Sequence, residues 1–219
     1  MHRTGTVHDG WAVAIAWPET WCKRAGAWYD AVMRAVAVNR NGYYQVGHAA
    51  LLVLRNGAEE PIYFDMGRYH APGGTARVRS AVTDHELRVH TTCVWSGSKP
   101  RNLPSIMEEL ANNPACHGTG PLHWGATQVN TVAVIAKAQA MQYAGFHTYG
   151  PFAPGGSNCS RFVCTALLAG STALRTRTGL LFPWTLSPTP LANVRACSRT
   201  GPSGIALPAE SHSPALALV

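Results

Sequence analysis

The sequence predicts a single α+β domain in which an antiparallel sheet packs on helices. Three observations carry that expectation. Short apolar strands crowd the first hundred residues, and Asn56-Gly57, a strong hairpin signal, joins the two best of them. Helical spacing takes over after Pro104. Apart from one early helix, the order is strands first and helices last, which is segregated rather than alternating.

The elements follow in order. Trp11 to Trp17 alternates small and apolar residues and reads as a first strand, stopped by Pro18. Trp28 to Val38 has helical spacing. Gly47 to Leu54 is a dense apolar strand, and Ile62 to Met66 is its hairpin partner. Arg77 to Val82 and Leu87 to Trp95 are expected as further strands. Pro104 to Leu110 begins a short helix, followed by a loop rich in Gly, Pro and His from Asn112 to Gly125. Val129 to Ala144 is a helix closed by Gly145. A turn-rich stretch, His147 to Ser157, leads into a helix over Arg161 to Ala169, closed by Gly170. The division is an amino-terminal extension over 1–10, the domain over 11–198, and a Pro-, Ser- and Ala-rich disordered tail over 199–219.

Composition excludes several classes. The 219 residues are 46% hydrophobic and only 13% charged, too apolar for a disordered chain. The 21 glycines and 15 prolines lack a collagen period. No run approaches the ~18 apolar residues of a membrane span, and Met1 to Gly10 carries no hydrophobic leader. Six cysteines spread over such a length suit reduced thiols better than a disulfide scaffold. These features together point to a cytoplasmic chain.

The net charge is +7. Six basic residues fall between Arg68 and Arg101, opposed only by Asp84 and Glu86. Such a patch attracts phosphates, carboxylates or an anionic surface. It lacks interleaved aromatics, and no nucleic-acid motif is present, so no nucleic-acid partner is expected.

The most informative segment is Gly155-Gly156-Ser157-Asn158-Cys159-Ser160-Arg161-Phe162-Val163. It ends a loop and places Cys159 where a helix begins, so the thiol meets the positive end of the helix dipole and unpaired backbone amides. Both favour thiolate, the nucleophilic form, and the amides suit an oxyanion. Cys164, near 140° further around the helix, faces packing instead. His48, at the start of an apolar strand, is the candidate base. With a two-residue turn at Asn56-Gly57, paired positions sum to 113, which sets His48 opposite Asp65. A carboxylate there would orient the imidazole. A longer loop would leave the third role to Tyr63, His70 or another polar group.

These residues carry a resemblance. Gly-His-Ala-Ala-Leu-Leu-Val-Leu (47–54), followed much later by Asn-Cys-Ser-Arg-Phe-Val (158–163), resembles the circularly permuted branch of the NlpC-type papain-like cysteine hydrolases, which includes relatives of lecithin–retinol acyltransferase. The helix over 129–144, Tyr149 and Phe152 before the cysteine, and Thr189-Pro190-Leu191 after it are similar to the permuted layout. Tyr63 to Tyr69 resembles a segment of a bacterial family of uncharacterised proteins. The resemblance spans about residues 11–195, and it departs from some members in lacking a second strand His or Glu.

The resemblance implies a hydrolase or acyltransferase that forms an acyl-enzyme on Cys159, with His48 moving the proton and Asp65 orienting it. It implies an amide or ester substrate (a peptide, a peptidoglycan-type peptide bond or an acyl lipid) and no cofactor. Arg68, Arg77 and Arg79 follow the acid strand and, with Asn158, are candidate substrate-binding residues. The alternative is a non-catalytic binding module that recognises an anionic ligand through the basic patch. A lipid-surface protein would need an amphipathic helix with a basic face, and the 129–144 helix has only Lys137. Cys116, His117 and His123 lack zinc-site spacing, so no metal is expected.

Overall fold

The computed structural model describes residues 8–23, 39–40, 43–45, 47–150, 155–185 and 187–209. The helix expected over Trp28 to Val38 lies outside the described residues, as does Phe152. Seven strands form the main sheet: β1 (Gly10–Trp17), β2 (His48–Arg55), β3 (Ile62–Gly67), β4 (Thr75–Arg79), β5 (Leu122–Val129), β6 (Phe146–Thr148) and β7 (Ser203–Ala206). Their order is β6-β4-β3-β2-β1-β5-β7, and every neighbouring pair is antiparallel. Among the described residues five α-helices accompany the sheet: α1 (Leu103–Asn112), α2 (Thr131–Tyr143), α3 (Cys159–Gly170), α4 (Leu174–Leu181) and α5 (Pro190–Ser198).

Both faces of the sheet are covered, so its central strands are apolar throughout rather than half polar. Ala12, Ala14 and Ala16 of β1, with Ala49, Leu51 and Val53 of β2, pack under α2 and α3. The small side chains let α3 approach the sheet closely, where it buries Phe162, Val163, Ala166 and Leu167. On the other face Trp11, Val13, Ile15 and Trp17 meet Leu103, Ile106, Met107 and Leu110 of α1, one helical stripe.

Three elements differ from expectation. The loop predicted to run to Gly125 becomes β5 from Leu122, because β1 on one side and β7 on the other supply its hydrogen bonds. The segment expected as a disordered tail provides β7, an edge strand on β5. Leu87 to Val94 is no strand, and only Trp95 enters one, the two-residue Trp95–Ser96. The segment starts in a single 3-10 turn over His85–Leu87 and runs irregularly, with Glu109 accepting from the amides of His90 and Thr91. No helix among the described residues is long and apolar enough to cross a membrane.

The β2–β3 hairpin forms its Asn56-Gly57 turn as predicted, with Ala58 N–H donating to Arg55 O at 3.0 Å and Gly57 at φ 76°. Its ladder is nevertheless two residues out of the predicted register: Ala50 faces Asp65, and paired positions sum to 115. The extra residues lie just after the turn. Ala58 O accepts from the Trp95 indole and Glu59 O from Cys93 N–H, so this stretch bonds to a different segment before Pro61. Pro61 has no N–H to give the ladder. A shift of two keeps every side chain on its face, whereas a shift of one would have reversed them.

Candidate active site

His48 opens β2 directly after Gly47, which adopts φ 73° and donates its N–H to Thr20 O. A Cβ on Gly47 would stand 3.0 Å from Trp17 O, so this tight entry needs glycine. The ladder sets Trp17 opposite His48, and the indole stacks on the imidazole at 5.8 Å between centroids. Tyr69 meets the ring edge-on at 6.4 Å. The imidazole is thereby buried to 1% exposure between two aromatic walls.

Side-chain alternation places His48, Asp65 and Arg79 on the α1 face of the sheet, while Cys159 belongs to the core on the α3 face. His48 is the residue where the two layers meet. As the first residue of its strand it interacts with Asp65 from its own layer and with Cys159 from the other. Its Nε2 lies 3.6 Å from Asp65 Oδ2, an ion-pair separation rather than a close hydrogen bond. Cys159 lies near enough to the imidazole for each group to shift the titration of the other.

Asp65 is fully buried and its oxygens are already occupied. Arg79 Nε donates to Oδ1 at 2.9 Å and Nη2 to Oδ2 at 2.6 Å, a bidentate pair across the β3–β4 ladder. Tyr63 Oη donates to Oδ2 at 3.3 Å. Arg79 Nη2 also donates to Ala115 O, and its guanidinium lies 3.4 Å over the Tyr69 ring.

Cys159 begins α3. Asn158 caps the helix by accepting Arg161 N–H at 2.8 Å, and Asn193 of α5 fixes the first turn by donating to Ser160 O at 2.9 Å. Ser160 Oγ stands 4.0 Å from the sulfur. The approach is set by Tyr149 and Ser157, which form a parallel bridge ahead of the cysteine.

The titratable groups of the site shift one another. Burial opposes the His48 imidazolium, yet the nearby Asp65 and Cys159 and their negative charges outweigh it, raising the group from 6.5 to about 9. Burial also opposes ionisation of Cys159, and the neighbouring His48 with its charge, together with the Ala49 amide, brings the thiol below its ordinary value. Asp65, despite burial, is held down by His48 and Arg79. Of the five cysteines with described side chains, only Cys159 moves this way. Burial pushes Cys93 and Cys164 up to about 11, and Cys116 and Cys197 up to about 12. Cys164 donates to Leu180 O, a packing position.

The remaining sequence candidates disperse. Arg77, expected at the substrate, makes a bidentate pair with Asp84 at 2.6 and 2.8 Å and donates to Tyr69 O. Arg79, also expected there, is engaged by Asp65. Arg68 lies 5.6 Å over the Tyr149 ring. The Asn158 carbonyl serves as the α3 cap. Tyr63 supports Asp65 rather than His48, and His70 is exposed in a left-handed turn. Among the described residues no three His, Cys, Asp or Glu side chains cluster to hold a metal. Trp17, Tyr69, Ser160 and Asn193 were not foreseen. The aromatic flanks of His48 carried a faint signal in Trp17, the residue that ends β1 at the edge where β2 begins.

Arg79 is the group whose loss the pair tolerates least. Replacing it with Met should destabilise the fold by about 3–5 kcal/mol, because a buried carboxylate is left uncompensated. Removing Asp65 as well (Arg79→Met with Asp65→Leu) should recover much of that loss. The Asp65 contribution is present above the ordinary carboxylate value and lost as pH falls through its depressed value. Urea unfolding of the single and double variants near neutral pH checks both expectations.

A family model for type VI secretion system effectors of the TseH-like kind matches residues 12–176. The crystal structure of the type VI secretion system effector TseH is similar in fold, with a TM-score of 0.55 at 12% identity, covering 91% of this chain and 98% of that one. No curated protein matches the sequence. The family match spans the main sheet from Ala12 through β6 together with His48, Asp65 and Cys159, and the chain belongs to the TseH-like family of type VI secretion system effectors.

Proposed function

We propose that this chain is a secreted effector that hydrolyses an amide or ester bond through an acyl-enzyme on Cys159, on a circularly permuted papain-like (NlpC-type) domain. The observation that carries this reading is the buried His48–Cys159 pair, with the imidazole raised and the thiol lowered at the amino terminus of α3. A structural cysteine gains nothing from such a pair, and the other described thiols move the opposite way.

The chemistry follows from the placement. The Cys159 thiolate attacks the carbonyl carbon, and the carbonyl π electrons move to oxygen as the C–S bond forms. The cap on Arg161 leaves the amides of Cys159 and Ser160 at the helix start for that oxyanion. With Nε2 turned to Asp65, Nδ1 of His48 is the nitrogen left for the thiol and for the leaving group. As the tetrahedral intermediate collapses, the imidazolium gives its proton to the departing amine or alkoxide. Neutral His48 then takes a proton from water, whose oxygen attacks the thioester and releases the acid and the thiolate. Asp65 stabilises the imidazolium throughout.

Peptides, peptidoglycan-type peptide bonds and acyl lipids all fit this chemistry. The binding-module alternative rested on the basic patch, and two of its six cations, Arg77 and Arg79, are paired with Asp84 and Asp65 inside the protein. The secreted assignment takes its support from the family and replaces the cytoplasmic expectation.

Iodoacetamide at mildly acidic pH should label Cys159 alone, read by peptide mass mapping, and labelling should be lost in His48→Ala. Uniform slow labelling of several cysteines would leave no activated thiol. On any substrate whose turnover needs Cys159, His48→Ala should lower kcat by about 10²–10⁴-fold without unfolding the protein. The pH profile of kcat/KM should hold its alkaline limb at about 9, where the raised His48 loses its proton. Asp65→Asn should move that limb downward, because an amide does not stabilise imidazolium. An unmoved limb would remove Asp65 from the orienting role.

A further inference from the structure

Every carboxylate side chain but one lies before residue 110, since from Ala111 to Ala209 the chain contains no Asp or Glu at all. Six Lys and Arg fall in that stretch: Lys137, Arg161, Arg175, Arg177, Arg195 and Arg199. The α4–α5 hairpin gathers four of them. Arg177 is used internally, donating to Leu168 O and Ser171 O at the end of α3. Arg175, Arg195 and Arg199 are exposed. Arg195 and Arg199 are four apart on α5, one face of a helix, and Arg199 Nη1 lies 3.4 Å from Arg175 O.

Beside these cations α4 presents apolar side chains to solvent. Thr176, Gly179 and Leu180 face inward, and Gly179 lies against Ala196 of α5. Leu174, Thr178 and Leu181 therefore share the outer stripe, with Arg175 and Phe182 adjoining it. Leu174 is 75% exposed, Leu181 52%, Phe182 76%, and Trp184, just beyond the helix, 100%. Scattered exposed apolar residues are ordinary, but four such side chains within eleven positions form a patch. Aliphatic and aromatic groups beside arginines, on a stretch of sequence that itself carries no carboxylate, match an anionic bilayer interface, where Trp and Phe enter the headgroup region and cations meet phosphate. An acidic protein surface would match the arginines but would not call for a fully protruding indole.

We infer that the α4–α5 hairpin, through Phe182, Trp184 and Leu181 with Arg175 and Arg199, is a docking surface for an anionic phospholipid bilayer. The surface is joined to the candidate active site. Arg161, two residues after Cys159, donates to Ser187 Oγ at 3.3 Å and to Gly156 O, so the segment following Trp184 is tied to the start of α3. Docking would hold that end of α3 near the membrane. It requires no thiol chemistry and stands apart from the hydrolase reading.

Sedimentation of the full chain with phosphatidylcholine vesicles, with and without phosphatidylglycerol, tests this. Binding should need the anionic lipid and weaken with salt. Arg175→Gln and Arg199→Gln should each weaken it about five-fold, and Phe182→Ser with Trp184→Ser about ten-fold or more. Cys159→Ala should bind as the parent does, so failure of the catalytic reading leaves this result intact. Binding equal on both vesicle types, binding unchanged in the Phe182/Trp184 variant, or no binding at all would each overturn the inference. Self-association that those two serines abolish, without vesicle binding, would show the patch to be a contact between two copies.

Discussion

Burying the Asp65 carboxylate is tolerable because His48 stands beside it and Arg79 faces it across the β3–β4 ladder with two parallel hydrogen bonds. An isolated carboxylate at zero exposure would take up a proton instead. Once Asp65 is held as an anion, the rest of the site follows in order. The anion favours the His48 imidazolium, and the imidazolium favours the Cys159 thiolate. Four buried groups thus stand in a row, Arg79, Asp65, His48 and Cys159, each favouring the charged form of the next. Each alone would be unfavourable in the interior; paired in sequence, each is the main support of the next.

The sheet supplies the geometry that this series needs. Asp65 and Arg79 meet because β3 and β4 pair in register, and His48 reaches Asp65 from two positions along on the adjoining strand. Cys159 comes from the opposite face. Alanines on β1 and β2 let α3 approach closely enough for its first residue to reach the end of β2. Trp17 and Tyr69 wall the imidazole, excluding water that would screen the pair. Asn193 ties α5 to the first turn of α3, so the thiol sits on a helix end fixed from two sides.

Much of this was legible in the sequence because it is local. A cysteine after a Gly-Gly-Ser-Asn loop and a histidine opening an apolar strand both show in a few residues. The hairpin arithmetic placed Asp65 on the correct face but two residues out, since the segment after the turn pairs with Cys93 and Trp95, far along the chain. Arg79 looked like a surface cation in a basic cluster, because its partner fourteen residues earlier is set by strand pairing rather than spacing. β5 was hidden by its Gly-, Pro- and His-rich lead-in, and β7 by a Pro- and Ser-rich composition. Both exist because a neighbouring strand offers a ladder, a tertiary effect that overrides local propensity.

The proposed chemistry depends on the proton carried by His48. Imidazole ¹⁵N chemical shifts, recorded at pH about 8, between the ordinary histidine value and the raised one, report it directly. In the native chain the His48 ring should carry protons on both nitrogens at that pH, and Cys159→Ala should move its titration to lower pH. A His48 ring that is already neutral at pH about 7 in the native chain, or one whose titration ignores removal of the Cys159 sulfur, would contradict the buried charge pair on which the proposed chemistry rests.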